Sequence, residues 1–217
     1  MKRIVITVLF IVIVTAFAFG QNGVIREITG DVELKHAGQS VFVPASVGAV
    51  VAPNTIVSTS FKSSAVIAVG SSVITVRPLT RLTLAEIQRA GNTESVNVNL
   101  QAGRVRVEVT PPAGERANFT IQSPSVTASV RGTVFEMNTD NITVHEGRVL
   151  YSGSSGIAVI VDGGNSTYSN ASGVPADPAE TAAASLTPSM PSTAAQPNNR
   201  SGSQSGDETI INSVPQW

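Results

Sequence analysis

Apolar residues fall on alternate positions through the middle of this chain, and that period of two constrains the fold more than any other feature. Val96, Val98 and Leu100 alternate with Asn97 and Asn99, and Val105, Val107 and Val109 alternate with Arg104, Arg106 and Glu108. Val126, Ala128 and Val130 repeat the pattern. A strand sends successive side chains to opposite faces, so such runs bury one face and wet the other. Turn residues interrupt them often: Gly30, Gly38, Pro53-Asn54, Gly70, Gly91-Asn92, Gly103, Pro111-Pro112, Pro124, Gly132, Gly147 and Gly153. Short strands with turn signals at roughly 8–12-residue spacing predict an all-β domain, either a sandwich or an irregular β-solenoid-like stack. The side chains suit this reading. Hydrophobic residues make up 41% of the chain but aromatics only 5%, so the apolar mass is mainly branched and small aliphatics that pack well on a pleated surface. One segment, Leu82 to Arg89, fits a short helix or a hairpin arm equally well.

The two ends have a different character. Met1-Lys2-Arg3 is followed by an uncharged apolar run from Ile4 to Phe19, and Ala18 and Gly20 are spaced as a signal peptidase reads them. Residues 1–20 are therefore expected to be an export signal, cleaved between Gly20 and Gln21. The run is shorter than the roughly 20 residues that span a bilayer, so no stable membrane span is expected after cleavage. The folded domain is expected over 24–165. From 169 to 209 the chain is rich in Ser, Ala, Pro and Thr and poor in bulky apolar residues. It is expected to be a disordered tail, because it cannot repay its ordering entropy. Apolar character returns at 210–217, which ends in Trp217, the chain's one tryptophan. This segment reads as a frayed end or as a docking peptide.

Several kinds of chemistry are excluded. With no cysteine, there are no disulfides, thiol catalysis or thiolate metal sites. The formal net charge is -1 and no basic stripe is present, so nucleic acid is not an expected partner. His145-Glu146 are strand neighbours that do not naturally converge, and a metal site needs three or four ligands. The paired serines lack a nucleophile elbow, and no acidic pair suggests glycoside hydrolysis. No catalytic residue, cofactor or metal ligand is expected.

A strand-starting unit recurs: Gly30-Asp31-Val32, Gly103-Arg104-Val105 and Gly147-Arg148-Val149. In each, glycine turns the chain and valine starts a buried row. Near the end of the patterned region the apolar phase slips. Val126, Ala128 and Val130 share one parity, while Phe135 and Met137 lie on the other. A slip of one residue inverts every side chain, so Arg131-Gly132-Thr133 must hold a bulge or corner. Arg131 is expected to tie down turn carbonyls there rather than bind an anion.

These elements, taken together, resemble the FecR (ferric-citrate regulator) domain family. Its G-x-V start matches Gly30 and Val32, and its l-x-x-G-x-V element matches Leu100 to Val105, with Gly103. Its a-x-V-R-G-T-x-F element matches Ala128 to Phe135, with Arg131, Gly132, Thr133 and Phe135. Its t-x-V-x-E-G-x-V pair matches Thr143 to Val149, with Glu146, Gly147 and Val149. The resemblance covers about residues 28–152. It implies an all-β module of the bacterial envelope, periplasmic or secreted, that contacts another envelope protein and performs no chemistry. Family members often carry a cytoplasmic anti-sigma segment before a membrane helix. Only three residues precede the apolar run here, so a stand-alone exported form without that segment is expected. A carbohydrate- or peptidoglycan-binding domain is the alternative, though few aromatics are available for a sugar platform. A β-helical hydrolase or lyase is a weaker third reading. Neither the partner's identity nor an oligomeric state is written in the residues.

Overall fold

The computed structural model describes residues 22–179 and 181. The expected leader with its Gly20–Gln21 cleavage point, most of the expected tail and the 210–217 segment lie outside the described residues. Within them, seventeen strands form two sheets of eight and nine strands.

Each sheet gains its strands in near-sequential order because the chain usually lays down a hairpin in one sheet and then crosses to the other. β1 (Gly23–Thr29) is in the eight-stranded sheet and β2 (Val32–Lys35) and β3 (Val43–Pro44) are in the nine-stranded one. β4 (Val50–Val51) returns to the first sheet and β5 (Thr55–Thr59) to the second. Hairpins then alternate: β6 (Ser64–Val69) with β7 (Ser72–Val76) in the first, and β8 (Arg81–Ala90) with β9 (Thr93–Ala102) in the second. β10 (Val105–Val109) crosses alone, without a hairpin partner that follows it in sequence. The next strand, β11 (Arg116–Gln122), therefore enters beside β9 in the parallel sense, with Phe119 opposite Val96. β12 (Val126–Val130) pairs with β11, β13 (Val134–Met137) and β14 (Asn141–Glu146) form a hairpin in the first sheet, and β15 (Arg148–Gly153) and β16 (Ala158–Asp162) form one in the second. β17 (Ser166–Tyr168) closes the first sheet against β14. The result is an open two-sheet β fold with edges at β4 and β17 in one sheet and at β3 and β16 in the other.

The alternation seen in sequence becomes the core. Val96, Val98, Leu100, Val105, Val107, Val109, Val126, Ala128 and Val130 are all buried in one cluster fed by both sheets. Each buried aliphatic side chain of Val or Leu size contributes about 1.5–3 kcal/mol by leaving water.

The ambiguous segment Leu82 to Arg89 is the hairpin arm, β8. Its helix-like spacing has a cause. The register between β8 and β9 shifts between Leu84 and Glu86, so Leu84 and Ile87, three apart, are both buried. A bulge thus imitates the i, i+3 spacing of a helix face.

The body extends further than composition predicts. The tail is expected from 169, yet residues 169–176 pack against the sheets. Ser169 donates its N–H to the Asp140 carbonyl at 2.7 Å, Ala176 to that of Tyr168 at 2.8 Å, and Ser155 Oγ to that of Gly173 at 2.7 Å. Gly173 and Pro175 are buried. Backbone hydrogen bonds and small residues hold this stretch, and neither registers as apolar bulk.

Candidate functional site

The recurring Gly-x-Val units are the points at which the chain changes sheet. Gly30 joins β1 to β2, Gly103 joins β9 to β10, and Gly147 joins β14 to β15. Their φ angles are 69°, 89° and 83°, in the left-handed region that glycine enters without penalty. Each glycine also lies against a hydroxyl residue from another corner, and the residue after it is bonded by that hydroxyl. Asp31 N–H donates to Ser63 Oγ at 2.9 Å. Arg104 N–H donates to Thr80 Oγ1 at 3.0 Å. Thr133 Oγ1 donates to the Arg148 carbonyl at 3.2 Å. The third residue of each unit, Val32, Val105 or Val149, is buried. The glycines and valines were legible as a repeat. Their hydroxyl partners were not, because Ser63 and Thr80 sit 32 and 24 residues from the group they bond.

The Arg131-Gly132-Thr133 element is a further crossing, from β12 to β13, and it explains the slip in parity. The face that points inward changes when the strand changes sheet, so Val130 and Phe135 are both buried from opposite sides of the core. Gly132 has φ 66°. Thr133 is buried and bonded, as above. Phe135 packs edge-on to Phe119 of the other sheet at 6.4 Å between ring centroids. Arg131 does not bind turn carbonyls. It donates Nε to Asn118 Oδ1 at 3.1 Å, across the β11–β12 pair. Arg131 directly follows β12, one step beyond the Phe119–Val130 pair, where the neighbour across the strands is nearer than a corner behind it. Glu146 is exposed beside Gly147, and its neighbour His145 is exposed too. Among the described residues, no three His, Asp or Glu side chains come together as metal ligands.

Charge concentrates on a rim that sequence reading did not single out. Glu136 on β13 accepts from Arg77 at 3.0 Å and lies 3.6 Å from Arg106. Partial burial would raise the Glu136 pKa, but the Arg77 hydrogen bond and the charges of Arg77, Arg106 and His145 outweigh it and hold the carboxyl below its ordinary 4.5. A lowered folded pKa stabilises above the unfolded value and loses that contribution as pH falls through the folded one. Glu136→Gln is therefore expected to lower the unfolding midpoint slightly at neutral pH, by under about 1 kcal/mol for so exposed a pair. The gap from the parent should close in acid. Thermal melts of both proteins between neutral pH and about pH 3 check this.

Beside this pair, a cleft of about 530 Å³ is lined by Arg77, Leu79, Arg104, Glu136, Asn138 and Thr139. A second, lined by Ser58, Leu79, Arg81 and Gln101, opens on the other side of Leu79. Leu79 is 63% exposed and has φ 55°. A third groove runs over the outer face of the nine-stranded sheet, between Thr120, Ser129, Leu150 and Ile160. Sequence carried little signal for the rim, because it joins Arg77 and Arg81 to Arg104 and Glu136, which lie much further along the chain.

Another residue missed in sequence is Glu94 on β9. It is 3% exposed and accepts the Ser71 N–H with both carboxylate oxygens, at 3.3 and 3.1 Å. Its role is internal, since it caps the β6–β7 turn from the opposite sheet.

Comparison with known proteins follows the same outline. Residues 55–150 match the family model described as FecR protein. No curated protein matches the chain. Two crystal structures, at 2.50 and 1.65 Å, of a candidate anti-sigma factor from Parabacteroides distasonis ATCC 8503 are similar to it, each at TM-score 0.46 and 13% identity over 56% of this chain. The chain spans 57% of the length of that protein. The matched stretch runs from β5 to β15 and takes in the Gly103, Gly132 and Gly147 corners, so residues 55–150 are similar to the FecR protein family.

Proposed function

We propose that the chain is a non-catalytic binding or sensing module of the cell envelope, exported through its N-terminal segment, which engages another protein through its β body. The observation that carries this reading is the division of labour among the side chains. The family-signature glycines and valines build corners and core, while the clefts beside the exposed Leu79 are open and lined by arginines rather than enclosed around a cluster of reactive groups. The similarity of residues 55–150 to the FecR protein family supports it further. The sugar-binding alternative is less well served. Phe119, Phe135 and Tyr151 are buried, which leaves Phe42, Phe61 and Tyr168 as the aromatics that the described surface could offer.

The test is in-cell crosslinking of the tagged full chain, followed by fractionation. A stoichiometric crosslink to one envelope protein is expected. Co-sedimentation with sacculi and no protein crosslink would favour the sugar reading. Polysaccharide turnover that disappears in an acidic-residue scan would overturn the non-catalytic assignment. Recovery of the leader-bearing chain in the cytosol would overturn export.

A further inference from the structure

The rim around Leu79 carries a more specific inference, which rests on the reading of the body as a protein-binding module. Three crossings meet there. The β5–β6 corner bonds the β7–β8 corner through Leu79 N–H to the Ser60 carbonyl at 3.2 Å, and the β7–β8 corner bonds the β9–β10 corner through Arg77 N–H to the Arg104 carbonyl at 3.1 Å. This backbone ladder fixes a row of outward side chains: Phe61, Lys62, Leu79, Arg81, Arg77 and Arg104. Phe61 is 69% exposed and Leu79 63%. The cations outnumber Glu136, the one acid lining either cleft, in a chain whose net charge is -1. The charge of this rim is thus opposite to that of the protein as a whole.

Two features mark the rim as more than solvated surface. Leu79 and Lys62 hold left-handed backbone, at φ 55° and 54°, which strains a residue with a Cβ and which glycine would adopt freely. A large apolar side chain kept exposed at a strained position is stabilising nothing inside the body. The arginines, in turn, are held in place. Glu136 anchors Arg77, and the Phe42 ring lies 5.6 Å from the Arg81 guanidinium. Anchored cations lose less freedom when a ligand arrives.

We propose that this rim is the docking surface for an acidic segment of a partner protein, in which carboxylates alternate with apolar side chains. Arg77 and Arg104 on one side of Leu79, and Arg81 on the other, take the carboxylates through their planar donor forks. Leu79 and Phe61 take the apolar side chains. Asn138 and Thr139 line the first cleft with neutral hydrogen-bonding groups suited to a peptide backbone. The placement of Glu136 among the arginines, and the clefts on both sides of Leu79, fit a peptide better than an anionic membrane, which would favour a flat surface without an acid.

The decisive probe is a fluorescein-labelled decapeptide of alternating Glu and Leu, titrated with the purified full chain at low and at physiological salt. Binding that weakens with salt is expected, with none for a Lys-Leu decapeptide of the same length. Leu79→Gly is expected to weaken binding by roughly tenfold, as for a central anchor, while its unfolding midpoint stays level or rises because the backbone strain is relieved. Arg77→Ala with Arg104→Ala is expected to weaken binding and flatten the salt dependence. Equal binding by Leu79→Gly and the parent overturns the proposal. So does failure of the Glu-Leu peptide to bind, or binding to phosphatidylglycerol vesicles in its place. The in-cell crosslink separates the two levels. A partner still captured by Leu79→Gly ends the rim assignment and leaves the binding-module reading standing, whereas a parent chain that captures no protein ends both.

Discussion

Gly103→Ala is expected to remove a large share of the stability of the domain. The added methyl would sit 2.3 Å from Thr80 Oγ1, 2.5 Å from Thr80 Cα and 2.6 Å from the Leu79 carbonyl oxygen. Two of those atoms belong to backbone that is itself bonded into the neighbouring corner, so they cannot swing aside as a side-chain end would. The left-handed φ of 89° adds its own penalty, about 1–2 kcal/mol for a residue with a Cβ. Together these place the loss at 4 kcal/mol or more, roughly the size that marks a named structural defect. That is a large share of the about 5–15 kcal/mol that holds a typical domain folded. Gly132→Ala is the matched control. Its φ is 66°, but a methyl there would meet only Pro111 Cδ, at 3.8 Å, so only the backbone penalty of about 1–2 kcal/mol should appear. Urea unfolding followed by circular dichroism would rank the two. If the two substitutions cost the same, the corner-clasp account of Gly103 is wrong.

That contrast shows what a sequence can and cannot reveal in such a chain. The glycines, the valine rows and the parity slip at 131–133 are local patterns, and local patterns are written along the chain. They gave the all-β class, the turns and the family resemblance, while the structure shows that these turns carry the chain from one sheet to the other. Which groups face those glycines is a long-range fact. Ser63, Thr80 and Thr133 are ordinary hydroxyl residues until the sheets bring them to a corner. The same holds for Glu94, which stands in the polar run Asn92-Thr93-Glu94-Ser95 and yet becomes a buried cap on a turn of the other sheet. The bulge in β8 misled in the opposite direction, lending a strand the spacing of a helix. The rim was the least legible of all. It draws on Phe61, Leu79 and Arg104 from three separate crossings, and nothing in their local context sets them apart.

The second large effect is expected at the aromatic pair that links the two sheets. Phe135 comes from β13 in the eight-stranded sheet and Phe119 from β11 in the nine-stranded one, both essentially inaccessible to solvent. Their rings meet at 66° and 6.4 Å, an edge-to-face geometry. Phe135→Ala removes the transfer energy of a whole ring and leaves a cavity that β strands pinned on both sides cannot close. A loss of about 3–5 kcal/mol is expected. Phe119→Ala should cost a similar amount. The double substitution should cost less than the sum, because the contact between the rings, worth about 0.5–1.5 kcal/mol, is lost only once. Urea titrations with unchanged slope would show that the loss lies in the folded core. Phe135→Leu, which refills most of the space, should recover a large part of the stability. It should also leave affinity for the Glu-Leu peptide unchanged, since Phe135 points into the core while its strand neighbour Glu136 faces the rim. A Phe135→Leu protein that folds but no longer binds the peptide would mean that the rim depends on how the sheets pack, and the separation of scaffold from contact surface would fail.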